Sequence, residues 1–225
     1  MKRSYFPVFP VLISLVFLLT SCFEVVEKLD LHSNGSGNFQ FTVNMSRSKT
    51  KIASIMQMKT INGRPVPTRA EIAAKIREVE TALRNSPGIS QVSSQLDLDN
   101  FIASVRCNFD KVENLNQAIR QVAVKQKAKA ADIKDNYKYD VATGIFSRLN
   151  NFSLKTEYDK MKSADKEIFQ DAVYTGIMRF DNLISTTSNP AAKIAADKKA
   201  VMVREQVLPI VNNAKTIANT ITLTK

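Results

Sequence analysis

Two stretches near the start of the chain alternate between apolar and polar residues, and this period of two constrains the fold more than any other feature. The apolar parity of the two stretches contains Phe23, Val25, Leu29, Leu31, Phe39, Phe41, Val43 and Met45. Between the stretches, residues 33–37 (Ser-Asn-Gly-Ser-Gly) supply the positive-φ positions of a tight turn. The pattern predicts a β-hairpin with one solvated face.

Helical spacing follows each predicted hairpin. Thr68 and Glu71 have capping-box spacing, and apolar residues then recur at helical intervals until residues 86–88 (Ser-Pro-Gly). A second hairpin is predicted over 89–109, and a second helix after it, because Asp110 and Glu113 repeat the capping-box spacing. The chain therefore predicts an α+β fold in which antiparallel β-hairpins alternate with packed helices in one composite domain.

Shorter elements are predicted in the rest of the chain. They are a helix capped by Ser46, strands near 137–141 and 144–149, a Lys-rich helix over 158–172, strands over 173–184, 192–203 and 217–224, and a short helix near 205–214. Since no segment has the composition of a linker, size favours one domain over residues 22–225, with a sub-division near 130–135 as the alternative.

The first 21 residues have the organisation of an export signal. Lys2 and Arg3 precede an apolar run from Val8 to Leu19, which is too short to span a membrane. Residues 19–22 (Leu-Thr-Ser-Cys) match a bacterial lipobox, so we expect a lipoprotein signal peptide over 1–21 and acylation of Cys22, with chains such as palmitate. Two or three acyl chains would anchor the protein firmly in the membrane. The alternative is a free cysteine after an ordinary signal or an uncleaved anchor.

The chain is basic, with a formal net charge of +11 that becomes +9 once residues 1–21, and with them Lys2 and Arg3, are removed. Between Asp30 and Glu71 there is no acidic residue. This acid-free segment contains Arg47, Lys49, Lys51, Lys59, Arg64 and Arg69. We expect these six side chains to contact an anionic lipid, a glycolipid or an envelope protein rather than nucleic acid, which an exported protein rarely meets. The alternative is an ordinary solvated surface.

Few residues suit catalysis. His32 is the single histidine, and Cys107 falls on an apolar strand parity, which indicates a buried hydrophobic residue rather than a reactive thiol. The carboxylate pair Asp97 and Asp99 is interpreted as part of a turn. No sequence motif indicates a catalytic site, a metal site or a cofactor, and we expect none.

Four segments, which cover about a third of the chain, form a recognisable set: the lipobox, residues 29–39 around the Gly-Ser-Gly turn, residues 179–184 and residues 188–190. Together they resemble the LppM-like group of bacterial lipoproteins. The resemblance implies mixed α/β structure and a non-enzymatic role, and a member of the group has been linked to binding membrane glycolipids. Unlike that group, residues 205–225 are too polar to predict a transmembrane helix, so Cys22 would be the membrane attachment.

These features favour a lipid-anchored lipoprotein of the cell envelope that acts as a binding or interaction module. In an organism with two membranes, Phe23 after Cys22 gives no aspartate retention signal, which favours the outer membrane or its periplasmic face. The alternatives are a carboxylate-dependent enzyme acting on envelope polysaccharide, which requires two carboxylates in one cleft, and a purely structural envelope component.

Overall fold

The fold is described from a computed structural model that covers residues 23–61, 63–126, 133–150, 155–166 and 169–225. Its elements follow one another as β1 (Glu24–Leu31), β2 (Gly37–Asn44), α1 (Lys49–Ile55), β3 (Thr60–Ile61), β4 (Arg64–Pro65), α2 (Arg69–Arg84), β5 (Ile89–Asp97), β6 (Ile102–Phe109), α3 (Val112–Lys125), β7 (Tyr137–Asp140), β8 (Ile145–Arg148), α4 (Lys155–Asp159), α5 (Ser163–Lys166), β9 (Val173–Phe180), β10 (Ile184–Thr187), β11 (Lys193–Ile194), β12 (Ala200–Gln206), α6 (Val207–Val211) and β13 (Asn219–Leu223).

A seven-stranded sheet in the order β11-β12-β9-β1-β2-β6-β5 forms the centre of the protein. Neighbouring strands are antiparallel, except that β1 and β9 run parallel. A four-stranded antiparallel sheet has the order β10-β13-β8-β7, and β3 and β4 form a small hairpin. The α+β prediction, with antiparallel hairpins alternating with helices, is confirmed.

One face of the central sheet is covered by two kinds of element. Its buried side chains, which include Leu29, Cys107 and Met178, belong to one cluster with Leu115 of α3 and Phe146 of β8. Helices α2 and α3 therefore cover the side of the sheet near β5 and β6, and the four-stranded sheet covers the side near β1 and β9. A smaller core gathers around Tyr174, Val207, Val211 and Ile217, with Phe23 packed against it.

Helix α2 begins as the sequence predicts. The Thr68 hydroxyl accepts a hydrogen bond from the Glu71 backbone N–H at 3.2 Å, and the Glu71 carboxylate accepts one from the Thr68 backbone N–H at 2.7 Å. This reciprocal pair forms the expected capping box.

The same spacing at Asp110 predicts the wrong cap. Helix α3 begins at Val112 with Lys111 in the N-cap position, and no side chain caps it. Asp110 still belongs to the strand pairing, because its backbone N–H donates to the Gly88 carbonyl at 2.9 Å. Ser46 likewise does not cap α1: it begins a short 3₁₀ turn, Ser46–Ser48, that precedes the helix.

The predicted helix over 158–172 is also wrong. Helices α4 and α5 are short and separate, and β9 begins at Val173. The rings of Tyr158 and Phe169 lie edge to face with their centroids 5.8 Å apart. A continuous helix would hold residues at this spacing about 16 Å apart along its axis, so this ring contact requires the chain to turn. The predicted signal peptide and Cys22, and part of the predicted boundary at 130–135, lie outside the described residues.

Candidate ligand-binding groove

An apolar groove lies between the covered face of the central sheet and helices α2 and α3. Its volume is about 490 Å³, within the range of small-ligand pockets. Strands β2 and β6 contribute Phe39, Phe41, Val43, Ala103 and Val105, and the helices contribute Ile76, Val79, Leu83, Ile119, Val122 and Ala123. The groove is therefore lined mainly by aliphatic and aromatic carbon.

The groove opens toward one end of the sheet. On β6, Cys107 and Phe109 are fully buried, whereas Ala103 and Val105 on the same face are only half-buried. On β2, Phe41 leaves 39% of its surface exposed. The helices therefore cover the sheet closely near the start of β2 and leave it accessible toward the end of β2 and the start of β6.

A buried ion pair forms one wall of the groove. The Arg148 guanidinium donates from Nε to Glu27 Oε1 at 2.8 Å and from Nη2 to Glu27 Oε2 at 2.9 Å, and both side chains are almost fully buried. Arg148 Nη1 also donates to the carbonyl of Leu149. The Tyr137 ring lies against the guanidinium, with Arg148 Cζ 5.0 Å from the ring centroid. Both Glu27 oxygens are thus engaged by the protein itself.

The electrostatics of this wall keep its charges compensated. Burial by itself would lower the pKa of Arg148, but the Glu27 carboxylate outweighs that effect and the pKa lies above its usual value. Burial first, and the Glu27 charge second, raise the pKa values of the Tyr137 and Tyr174 phenols well above their usual range. The wall therefore presents a neutralised ion pair and the neutral Tyr137 phenol, and the neutral Tyr174 phenol lies beside the pair outside the groove lining.

Gly176 makes room for this arrangement. It lies beside Glu27 in the register of β1 and β9. A Cβ atom at this position would come within 2.7 Å of the Tyr174 phenol oxygen. Glycine at position 176 therefore allows the Tyr174 ring to pack across its own strand next to the ion pair.

The six cationic residues named from the sequence are all exposed, and they differ in the contacts that they make. Lys49 Nζ donates to Asn100 Oδ1 at 3.1 Å, and Arg69 Nη1 donates to Asp99 Oδ1 at 3.0 Å, so both contact the turn between β5 and β6. Burial alone would raise the pKa of the Glu24 carboxyl, but hydrogen bonds from Arg204 and Thr175 lower it, and the charge of the nearby Arg47 lowers it further. The remaining three, Lys51, Lys59 and Arg64, lie in the segment that joins β2 to α2.

The other residues considered for chemistry occupy structural positions. Cys107 is buried, and burial raises the pKa of its thiol to about 11, which confirms the interpretation of a buried hydrophobic residue. Asp97 accepts hydrogen bonds from the backbone N–H groups of Asp99 and Asn100, which confirms the turn. His32 contacts Asp181 at 3.2 Å on the surface. Among the described residues, no group of three or more His, Cys, Asp or Glu side chains is arranged to hold a metal ion.

Sequence reasoning missed the groove and its polar wall. One signal was present: Glu27 lies on the apolar parity of β1, between Val25 and Leu29. A charged residue in such a register requires a buried partner. Nothing in the sequence indicates that the partner is Arg148, which lies 121 positions later.

Comparisons with known proteins add one distant likeness. No protein-family model matches the chain, and a search of curated proteins finds no match. Among solved structures, the chain is similar to the NMR structure of the folded domain of Mycobacterium tuberculosis LppM, with a TM-score of 0.43 and 10% identity over 92% of this chain and 91% of that one. A likeness at this level assigns no function. Within the part of the chain that the structure describes, no helix has the length and apolar character needed to cross a membrane.

Proposed function

We propose that this protein is a lipid-anchored envelope lipoprotein that binds the apolar part of a lipid or glycolipid in the groove, without catalysing a reaction on it. The observation that carries the proposal is the groove itself, whose floor and helical walls are apolar and whose Phe41 ring remains partly exposed. Partly exposed apolar side chains that line a concavity favour an apolar ligand, because binding removes their surface from water.

Burial of an acyl chain in the groove supplies enough free energy for binding. Each methylene group transferred from water to an apolar site contributes about 0.8 kcal/mol, so eight methylenes contribute about 6 kcal/mol before the cost of association is subtracted. The polar wall does not oppose this transfer, since Glu27 and Arg148 neutralise each other. The pair offers no unneutralised charge that could attract a charged head group. We therefore expect the head group of the lipid to remain at the open end of the groove.

The lipid anchor is proposed from the sequence. The basic start, the apolar run and the lipobox at residues 19–22 support acylation of Cys22 and exposure to the cell envelope. In an organism with two membranes, the residue after Cys22 favours the outer membrane or its periplasmic face. The membrane is then the protein's permanent partner through Cys22, and the lipid in the groove is a second, exchangeable one.

Binding of a long-chain fatty acid that carries a fluorophore tests the proposal. Among the described residues, both cores are built from Phe23 onward, so we expect a chain of residues 23–225 to fold. Ala123 lines the groove, whereas its neighbour Val124 is exposed and does not. We expect Ala123→Phe to weaken probe binding by at least about tenfold, because the ring fills the groove, and Val124→Phe to leave it unchanged.

Thermal unfolding of both variants controls for loss of structure. Probe binding that is equal in Ala123→Phe and Val124→Phe, with both variants folded, would contradict the proposed function. The same holds if the unmodified chain does not bind the probe.

A further inference from the structure

We propose that the open end of the groove docks on an anionic membrane surface through residues 46–67, which we call the docking segment. The inference rests on the proposed function and names the partner of the same site. Its basis is that three features lie at the same end of the central sheet. They are the docking segment, the start of the described chain and the opening of the groove.

The register of the sheet brings these features together. Glu24, the first residue of β1, pairs with Asn44, the last residue of β2, and Asn44 pairs with Ile102, the first residue of β6. The docking segment leaves the sheet directly after β2 and returns to the start of α2. The half-buried groove residues Val43 and Ala103 lie one register step from that end. The groove therefore opens beside the docking segment.

The proposed anchor reaches the same place. Cys22 precedes Glu24 by two residues, which corresponds to less than about 8 Å of extended chain. An acyl group on Cys22 would thus hold this end of the sheet against the bilayer. The opposite end, with the turns after β1 and β7, would point away from it.

The surface of the docking segment suits a bilayer. None of its described residues is buried, and Met58 and Ile61 leave 52% and 37% of their surface exposed. Lys51 and Lys59 are exposed on the same segment, which contains no acidic residue. Exposed apolar side chains beside lysines fit the interface of an anionic membrane, where the apolar groups enter the acyl boundary and the ammonium groups meet the head groups.

Contacts to the body of the protein hold this segment in place. Lys49, near the start of the segment, and Arg69, just after its end, both bind the turn between β5 and β6. Between them, the backbone N–H of Val66 donates to the Lys59 carbonyl at 3.1 Å and extends the β3–β4 hairpin. Ile61 therefore lies on this hairpin and Met58 directly precedes it, between two side-chain contacts to the turn that joins β5 and β6.

Exposed apolar residues at the opposite end have a different charge environment. Val141 follows Asp140, and Leu183 lies two residues after Asp181. The docking segment itself contains no acidic residue, and Asp99 in the neighbouring turn between β5 and β6 pairs with Arg69, so the charge of the segment favours an anionic surface. Docking there would let an acyl chain pass between the bilayer and the groove without crossing water.

Co-sedimentation of residues 23–225 with vesicles of phosphatidylglycerol and phosphatidylcholine tests the docking surface. The paired substitution Lys59→Glu with Ile61→Asp changes the docking segment. Its matched control is Lys193→Glu with Ile194→Asp, because Ile194 lies in another two-residue strand and is 40% exposed, close to the 37% of Ile61. We expect the first pair to weaken vesicle binding about tenfold and the control pair to leave it unchanged.

Two readouts separate the docking surface from the groove. The docking variant is expected to bind the fluorescent fatty acid in solution as the unmodified chain does, and high salt is expected to weaken vesicle binding of the unmodified chain. Equal vesicle binding by the docking variant and its control would overturn the docking surface while the groove function stands. Absence of probe binding by the unmodified chain would overturn the groove function and this inference with it.

Discussion

Glu27 is the least expected residue of β1, because it is charged and stands where the alternation predicts an apolar side chain. It occupies the buried parity of a central strand, and Arg148 from the smaller sheet neutralises it with two hydrogen bonds. The sequence shows the anomaly but not its partner, since the two residues meet only when β8 packs over β1. Because both charges are buried, removal of either one leaves the other without a counter-charge and lowers the stability of the fold.

Substitution of Arg148 tests this dependence. We expect Arg148→Met to lower the free energy of unfolding by about 3–5 kcal/mol, because the Glu27 carboxylate is left buried without a counter-charge. The double substitution Glu27→Leu with Arg148→Met removes both charges and should recover most of that loss. Urea denaturation of the two variants measures the difference. A double variant no more stable than Arg148→Met alone would show that the pair does not determine stability here.

At the scale of elements, capping-box spacing identified one helix start and failed at another. Thr68 and Glu71 form both hydrogen bonds of the box. Asp110 has the same sequence relation to Glu113, yet its backbone remains paired to Gly88 and the helix starts two residues later. The local signal is the same in both places, and the tertiary pairing of β5 with β6 decides the outcome at the second.

The two sites supply a matched pair of substitutions. Thr68→Ala is expected to lower the free energy of unfolding by about 1 kcal/mol, the usual effect of losing an N-cap side chain. Asp110→Ala is expected to have less than about half that effect, because Asp110 caps nothing. Denaturation at neutral pH measures both. Equal losses would show that the capping box does not stabilise α2.

The cap also predicts a pH dependence. Hydrogen bonds from the Thr68 backbone and side chain hold the pKa of Glu71 below its usual 4.5. The resulting stabilisation is present above 4.5 and is lost as the pH falls through the lowered pKa. NMR titration of the Glu71 carboxyl should therefore show a higher pKa in Thr68→Ala than in the unmodified chain.

At the scale of the whole molecule, the fold class followed from local patterns but the assembly of the sheet did not. Hairpins such as β1–β2 and β5–β6 are signalled by alternation and turn residues. The parallel pairing of β1 with β9 joins distant segments and leaves no local signal. The groove depends on that assembly, because the smaller sheet that supplies Arg148 and Tyr137 packs over β1 and β9. Its existence was therefore beyond sequence reasoning.

Anchoring is tested on the full chain expressed in a bacterium. We expect the unmodified protein to incorporate labelled palmitate and to partition into a detergent phase, and Cys22→Ser to do neither, because the acylated thiol is absent. Cys107→Ser, which changes a buried cysteine, is the control and should keep the label. A Cys22→Ser protein that still carries labelled palmitate would contradict the lipobox assignment.

The parallel pairing of β1 with β9 also sets the order in which the chain can fold. β1 lies between β2 and β9 in the central sheet, and β9 follows it by roughly 150 residues. Closing so long a loop costs chain entropy before any contact compensates for it, so the central sheet forms late and slowly. During synthesis the N-terminal part of the chain emerges first, so one edge of β1 remains unpaired until β9 has been made. During that interval the edge is a template for pairing with other unfinished chains, and aggregation competes with folding.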